Sequence, residues 1–120
     1  MSLSPVHALL DDLFFRSRIE ATAEAAGVRL IVSRTLADLL DRIDEAGGTG
    51  VLVDLGLGTS AAVAAIAALK RRPEVPAIVA WGSHVDAEAL EAARAAGADR
   101  VLAKSAFTRR LPELLRELSG

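Results

Sequence analysis

The segment that most constrains this chain runs from Val51 to Gly58 and reads VLVDLGLG. Three apolar residues lead into the carboxylate of Asp54, and glycines follow at once. This pattern predicts a buried strand that ends in a tight loop before a helix. In open α/β sheets, binding sites form beyond the carboxyl ends of the strands. Asp54 is therefore the first candidate for a functional side chain.

The rest of the chain alternates between short apolar runs and segments of helical periodicity. Further strands are predicted at residues 6–10, 28–32, 77–81 and 100–103, each followed by a helix. Helix caps are predicted, in chain order, at Asp11 or Asp12, Thr35, Thr59 or Ser60, and Ser83 together with Asp86. The last helix is expected to hold Pro112 in its first turn and to end near Leu118.

Arginines indicate which strands lie at the edges of the sheet. Arg29 and Arg100 fall within the second and fifth predicted strands, and a charged side chain is typical of an edge strand. The predicted order is 2-1-3-4-5, in a doubly wound parallel sheet with helices on both faces. This is an α/β, flavodoxin-like (βα)5 fold of three layers, and residues 1–120 are expected to form one domain.

Composition excludes several classes of function. The chain has no cysteine, which rules out disulfides, cysteine-ligated zinc and thiol catalysis, and His7 and His84 are its only imidazoles. The net charge is −2, so neither direct nucleic-acid binding nor attraction to an anionic membrane is expected. No apolar run approaches the roughly 20 residues of a membrane span, and no signal-peptide pattern is present, so a cytoplasmic protein is expected.

The predicted strand order gathers Asp11, Asp12, Asp54 and Lys104 at one end of the sheet. These residues lie in three of four short motifs that occur in a characteristic order, LLDD at 9–12, VLVDL at 51–55, AAGAD at 95–99 and VLAKS at 101–105. With these motifs the chain resembles, over nearly its whole length, the receiver domain of two-component response regulators, of the chemotaxis-regulator type.

The resemblance implies phosphoryl transfer to Asp54 from a partner histidine kinase. It further implies Mg²⁺ bound by Asp11, Asp12 and Asp54, and Lys104 paired with a phosphate oxygen. No enzymatic activity is implied beyond Mg²⁺-dependent phosphorylation and dephosphorylation at Asp54. The implied partners are proteins, either the kinase or a downstream effector. Helix four, strand five and helix five would supply the contact surface and a possible homodimer interface.

Several positions depart from the receiver pattern and indicate an atypical variant. The position of the usual hydroxyl at the end of strand four holds Trp81 or Gly82, so Ser83 could serve only if the loop shifts. The usual aromatic residue of strand five is replaced by Val101. Lys104 is followed by Ser105 instead of proline, which puts the usual cis bond in doubt. Counting back from Gly27 matches Asp11 with the second acid of the family pair and Leu10 with the first.

Structural roles compete with each functional interpretation. Asp11 and Asp12 could simply cap the first helix, and Asp54 could form an ion pair with Lys104. Trp81 is expected to serve in packing or as a lid. Gly56, Gly58 and Thr59 could instead cradle an anion on backbone N–H groups. The alternative function is therefore a small-molecule, anion or nucleotide-binding module on the same fold.

Overall fold

Five parallel strands form one sheet in the order β2-β1-β3-β4-β5, which confirms the predicted order. The structure is a computed structural model and describes residues 4–120. The strands are β1 (Val6–Leu9), β2 (Leu30–Ser33), β3 (Gly50–Asp54), β4 (Ala77–Gly82) and β5 (Arg100–Ala103). The second strand begins after Arg29, later than predicted, and is nevertheless an edge strand, as is β5.

Helices cover both faces of the sheet and give three layers. They are α1 (Leu13–Ala26), α2 (Leu36–Ala46), α3 (Thr59–Lys70), α4 (Ala87–Ala96) and α5 (Lys104–Ser119), with a short 3₁₀ helix (Leu55–Leu57) after β3. Within residues 4–120, none of these helices combines the length and the apolar character that crossing a bilayer requires.

The alternation of side chains along the central strands creates two separate cores. In β3, Leu52 packs in the core beneath α1 and α5, whereas Val51 and Val53 pack in the core beneath α2, α3 and α4. Successive strand residues point to opposite faces, so a continuous apolar run fills both cores at once. Because the strands are all parallel, the carboxyl end of β3, with Asp54, lies at the edge where the loops after the other strands meet.

Two predicted helix caps are wrong, and in both cases the N-cap is a different residue within three positions of the predicted one. The N-cap of α3 is Gly58, with no side-chain cap, because Thr59 already belongs to the first helical turn. In α4 the N-cap is Asp86, whose carboxylate accepts a hydrogen bond from the Ala89 N–H at 3.1 Å. Ser83 lies further back in the loop. The predicted caps at Asp12 and Thr35 are confirmed.

The predicted position of Pro112 is also wrong, since α5 starts directly at the end of β5 and Pro112 lies within it. A proline inside a helix removes one hydrogen bond and costs about 3 kcal/mol. The apolar stripe of α5 continues on both sides of this residue. It is made of Phe107, Leu111, Leu114, Leu115 and Leu118, all buried. Burying this stripe outweighs the cost of the proline.

Candidate functional site

A cleft of about 610 Å³ opens at the carboxyl end of the sheet, where the loops after β1, β3, β4 and β5 meet. It contains most of the candidate residues named from the sequence, namely Asp11, Asp12, Asp54, Gly56, Ser83 and Lys104. Gly58 and Thr59 are not among its lining residues. The sheet therefore brings the acidic and basic candidates together, and separates them from two of the three residues proposed to cradle an anion.

Asp54 is the last residue of β3 and is half-buried at the floor of this cleft. Burial raises the pKa of its carboxyl group, because a partly desolvated carboxylate loses hydration. The Gly56 N–H and the positive charge of Lys104 lower this pKa in part, and the negative charge of Asp12 raises it further. A carboxylate in this setting is destabilised as an anion and is exposed to the cleft.

The loop after Asp54 is shaped around its carboxylate. Oδ1 of Asp54 accepts a hydrogen bond of 2.7 Å from the N–H of Gly56, at the start of the 3₁₀ helix. A Cβ atom at position 56 would lie 2.9 Å from that same oxygen, so a larger residue would push the Asp54 carboxylate out of this position. One carboxylate oxygen is thus held by the backbone, which orients the group in the cleft.

Lys104 is the first residue of α5 and approaches Asp12 more closely than Asp54. Its Nζ lies 4.0 Å from Oδ2 of Asp12, and 4.5 Å from the centroid of the Phe15 ring. No ion pair within 4.0 Å joins Lys104 to Asp54, so the predicted direct Asp54–Lys104 pair is absent between these two described residues. Lys104 acts on Asp54 through its charge across the cleft.

The two acidic residues after β1 have different partners. Oδ1 of Asp12 accepts the Phe15 N–H at 3.1 Å and caps α1, while its other oxygen faces Lys104. Oδ1 of Asp11 lies 2.6 Å from Nε of Arg34, the residue that follows β2. Each carboxylate is therefore already matched by a basic side chain.

Comparison with known proteins identifies the fold of this chain through solved structures alone. No protein-family model matches the sequence, and no curated protein matches it. Solved structures do match over nearly the whole chain. A signal receiver domain from Bermanella marisrubri has a TM-score of 0.82 at 19% identity and covers 97% of this chain and 98% of its own.

Two further solved structures agree. A chemotaxis response regulator from Vibrio cholerae has a TM-score of 0.81 at 17% identity, with 98% of this chain and 99% of its own covered. The receiver domain of NtrX from Brucella abortus has a TM-score of 0.79 at 18% identity, with 94% and 96% covered. The chain has the receiver fold. Within that fold it is divergent, and its site departs from the expected pattern at several positions.

Among the described residues, the carboxylates of the cleft do not converge into the three-residue Mg²⁺ set that the receiver resemblance implies. No group of three histidine or carboxylate side chains within residues 4–120 converges to hold a metal ion. Asp11 is engaged by Arg34, and Asp12 by the start of α1 and by Lys104. Although Asp11, Asp12 and Asp54 all line the cleft, they do not form one ligand set.

The end of β4, where the receiver resemblance places a hydroxyl, holds Trp81 and Gly82, and neither residue carries one. Trp81 is opposite Asp54 in the register of β3 and β4, and is 1% exposed. Its ring stacks on Phe107 and contacts Phe15 in the core beneath α1 and α5. Trp81 therefore serves in packing and is not a lid. Ser83 is exposed in the following loop, with Oγ 3.4 Å from the Val85 N–H.

The start of α5 is the second departure within the receiver fold. The helix follows β5 without a loop, no side chain caps it, and Ser105 in its first turn lines the cleft. No peptide bond among the described residues is cis. The first N–H groups of a helix are free donors with a positive potential. This helix end therefore adds to the positive charge of Lys104 at the cleft.

Sequence reasoning missed two residues at this end of the sheet. Arg34 was given no role, although the strand order 2-1-3-4-5 puts the residue after β2 beside the residues after β1. His84, which the sequence analysis names only as one of two imidazoles, is exposed in the loop after β4 and lines the cleft. The order of the strands was the available signal for Arg34.

Proposed function

We propose that this chain is a receiver-like signalling module that works through protein contacts, with residues 1–120 as its single domain. In this proposal Asp54 is the phosphoacceptor, and the chain has no separate catalytic activity beyond gain and loss of that phosphoryl group. The partner is a histidine kinase or a downstream effector in the cytoplasm. The observation that carries the proposal is the half-buried carboxylate of Asp54 at the end of the central strand of a receiver fold.

The chemistry required of Asp54 is nucleophilic attack on phosphorus. A carboxylate oxygen forms the new bond to phosphorus, the bond from phosphorus to the donor's leaving group breaks, and the leaving group departs with that electron pair. Oδ1 already accepts the Gly56 N–H, which leaves Oδ2 as the attacking atom. Lys104 and the uncapped start of α5 would meet the charge of the transferred group.

The same site favours a small conformational response. A ligand shifts a protein between two states only by as much as it binds one better than the other. Trp81 carries no hydroxyl and is held in the core by Phe107, and Val101 has no ring to move. A phosphoryl group on Asp54 would therefore gain few new contacts from β4 and β5.

Exposed apolar side chains that follow cleft residues in the chain support a protein partner at this end of the sheet. Leu13 and Phe14, which follow the loop after β1, are 68% and 92% exposed. Val85, in the loop after β4, is 78% exposed. Large exposed apolar side chains around a polar site are typical of protein–protein contacts. A partner that covers the cleft would bury them and reach Asp54, and the face of α4, β5 and α5 remains a second candidate surface.

The test is incubation with acetyl phosphate, with and without Mg²⁺, followed by intact mass measurement. The expected result is slow addition of one phosphoryl group to the wild-type chain and none to Asp54→Asn. Asp12→Asn, which keeps an N-cap side chain at the same cleft, is the matched control and should still be modified. Absence of modification in the wild-type chain, or equal modification of Asp54→Asn, would remove Asp54 as the acceptor.

A further inference from the structure

The register of β1 and β2 brings an arginine to the first acidic residue of the cleft. Leu9 is opposite Ser33, and the Leu10 N–H donates to the Ser33 carbonyl at 3.1 Å. Asp11 follows Leu10 in the chain, and Arg34 follows Ser33, so this hydrogen bond brings the two charged residues to the same edge of the sheet. Their side chains meet, with Nε of Arg34 2.6 Å from Oδ1 of Asp11.

Among the described residues, the pairing of charges at the cleft leaves Asp54 as the one lining carboxylate without an ion pair. Arg34 faces Asp11, and Lys104 faces Asp12, so two single positive charges match two negative charges. Mg²⁺ is bound through one or two carboxylates together with waters and phosphate oxygens, and it gives up its waters reluctantly. To bind here, it would have to compete with a cation that is covalently part of the chain.

We propose that Arg34 takes the place of a divalent cation at Asp11, and so weakens the affinity of the Asp54 cleft for Mg²⁺. The inference rests on the proposed receiver-type site and names how its cation requirement is controlled. A change that draws Arg34 away from Asp11, such as a partner's carboxylate at the edge of β2, would raise the affinity for the metal. Arg34 is a positioning residue in this account and touches no reacting atom.

The size of the effect follows from the exposure of the pair. The side chains of Arg34 and Asp11 are 64% and 54% exposed, so water screens their attraction. Exposed ion pairs have small free energies, and the corresponding gain in Mg²⁺ affinity on removing Arg34 is about threefold to fivefold. A gain of this size is measurable in a titration.

The experiment is an NMR titration of the unphosphorylated chain with MgCl₂ at constant ionic strength, followed at the amides of Asp12, Asp54 and Gly56. Wild type is compared with Arg34→Ala. The matched control is Arg16→Ala, which removes the same charge and another exposed ion pair, with Glu20, on the outer side of α1. Arg34→Ala should bind Mg²⁺ about threefold to fivefold more tightly than wild type, and Arg16→Ala should match wild type.

A third variant tests whether Arg34 acts on Mg²⁺ affinity through the carboxylate of Asp11. In Arg34→Ala combined with Asp11→Asn, the gain should disappear, because the carboxylate that Arg34 released is no longer present. Equal Mg²⁺ affinity in wild type and Arg34→Ala would overturn the proposal, as would a gain that survives Asp11→Asn or one shared by Arg16→Ala. Because no phosphodonor is used, these outcomes do not depend on whether Asp54 accepts a phosphoryl group.

Discussion

Trp81 and Phe107 stack face to face, with ring centroids 4.3 Å apart and planes inclined by 7°. The pair joins the end of β4 to the first turns of α5, and Phe15 of α1 contacts both rings. Lys104, over the Phe15 ring, connects this aromatic cluster to the cleft. The cluster therefore fixes three elements that border Asp54.

Truncation of Phe107 should reveal how much the cluster stabilises the fold. Phe107→Ala leaves a cavity beside Trp81 and is expected to lower the free energy of unfolding by about 3–5 kcal/mol. Urea unfolding measures this loss of stability through the fluorescence of Trp81, because Trp81 is the only tryptophan in the sequence. The control is Phe14→Ala, at a residue 92% exposed, which should change stability by less than about 0.5 kcal/mol. Similar effects of the two variants would contradict the packing role of Phe107.

Removal of the charge on Asp54 should stabilise the chain. Because burial raises the pKa of this carboxyl group, its stabilising contribution is present at acid pH and is lost as the pH rises through the folded-state pKa. Asp54→Asn keeps an oxygen to accept the Gly56 N–H and carries no charge. We expect a gain of about 0.5–1 kcal/mol at neutral pH that shrinks near pH 3.8, the ordinary pKa.

The measurement for Asp54 is urea unfolding at several pH values. Asp41→Asn, at an exposed position of α2, removes the same charge and should leave stability nearly unchanged. A loss of stability in Asp54→Asn at neutral pH would show that the carboxylate supports the fold and is not held there at a cost.

His7 should make the fold sensitive to mild acid. Its ring is fully buried in β1; Nε2 lies 2.7 Å from the Gly47 carbonyl, and Nδ1 has no hydrogen-bond partner among residues 4–120. Burial lowers the pKa of His7, and the charges of Arg29 and Arg42 lower it further. A lowered folded-state pKa means that the unfolded chain binds the proton first, so stability falls as the pH drops below 6.5.

The predicted slope for His7 is at most about 1.4 kcal/mol per pH unit, the limit for one proton. His7→Gln retains a donor for the Gly47 carbonyl and cannot be protonated, so it should lose this part of the pH dependence. His84→Gln, at an exposed loop position, should keep it. Parallel pH profiles for wild type and His7→Gln would exclude His7 as the cause.

A phosphoryl mimic should produce local changes only. Beryllofluoride, added with and without Mg²⁺, is expected to shift the backbone amide signals of Asp12, Asp54, Gly56 and Lys104. Signals from α4, β5 and the later turns of α5 should stay nearly unchanged, because Trp81 offers no new contact to a group on Asp54. Widespread shifts between residues 83 and 107, or dimerisation induced by the mimic, would show that the chain does switch.

The sequence by itself determined the framework of the fold. Apolar runs of four to six residues, separated by amphipathic helices, predict a parallel α/β sheet. Arg29 and Arg100 indicated that the second and fifth strands lie at the edges, which fits the order 2-1-3-4-5 of a doubly wound fold, although Arg29 lies just before β2. The position of Asp54 at a strand end was also predictable, because a carboxylate directly after a buried apolar run is expected where the strand ends. These features depend on local periodicity, which the sequence displays directly.

Only the tertiary structure decided which charged side chains meet. Lys104 approaches Asp12 and not Asp54, and Arg34 meets Asp11 through the register of two strands that are far apart in sequence. Exposed ion pairs differ by less than about 1 kcal/mol, too little to leave a pattern in the sequence. Pro112 lies within a helix for a related reason. Local propensity ends a helix at proline, whereas the apolar stripe of α5 gains more by continuing across it.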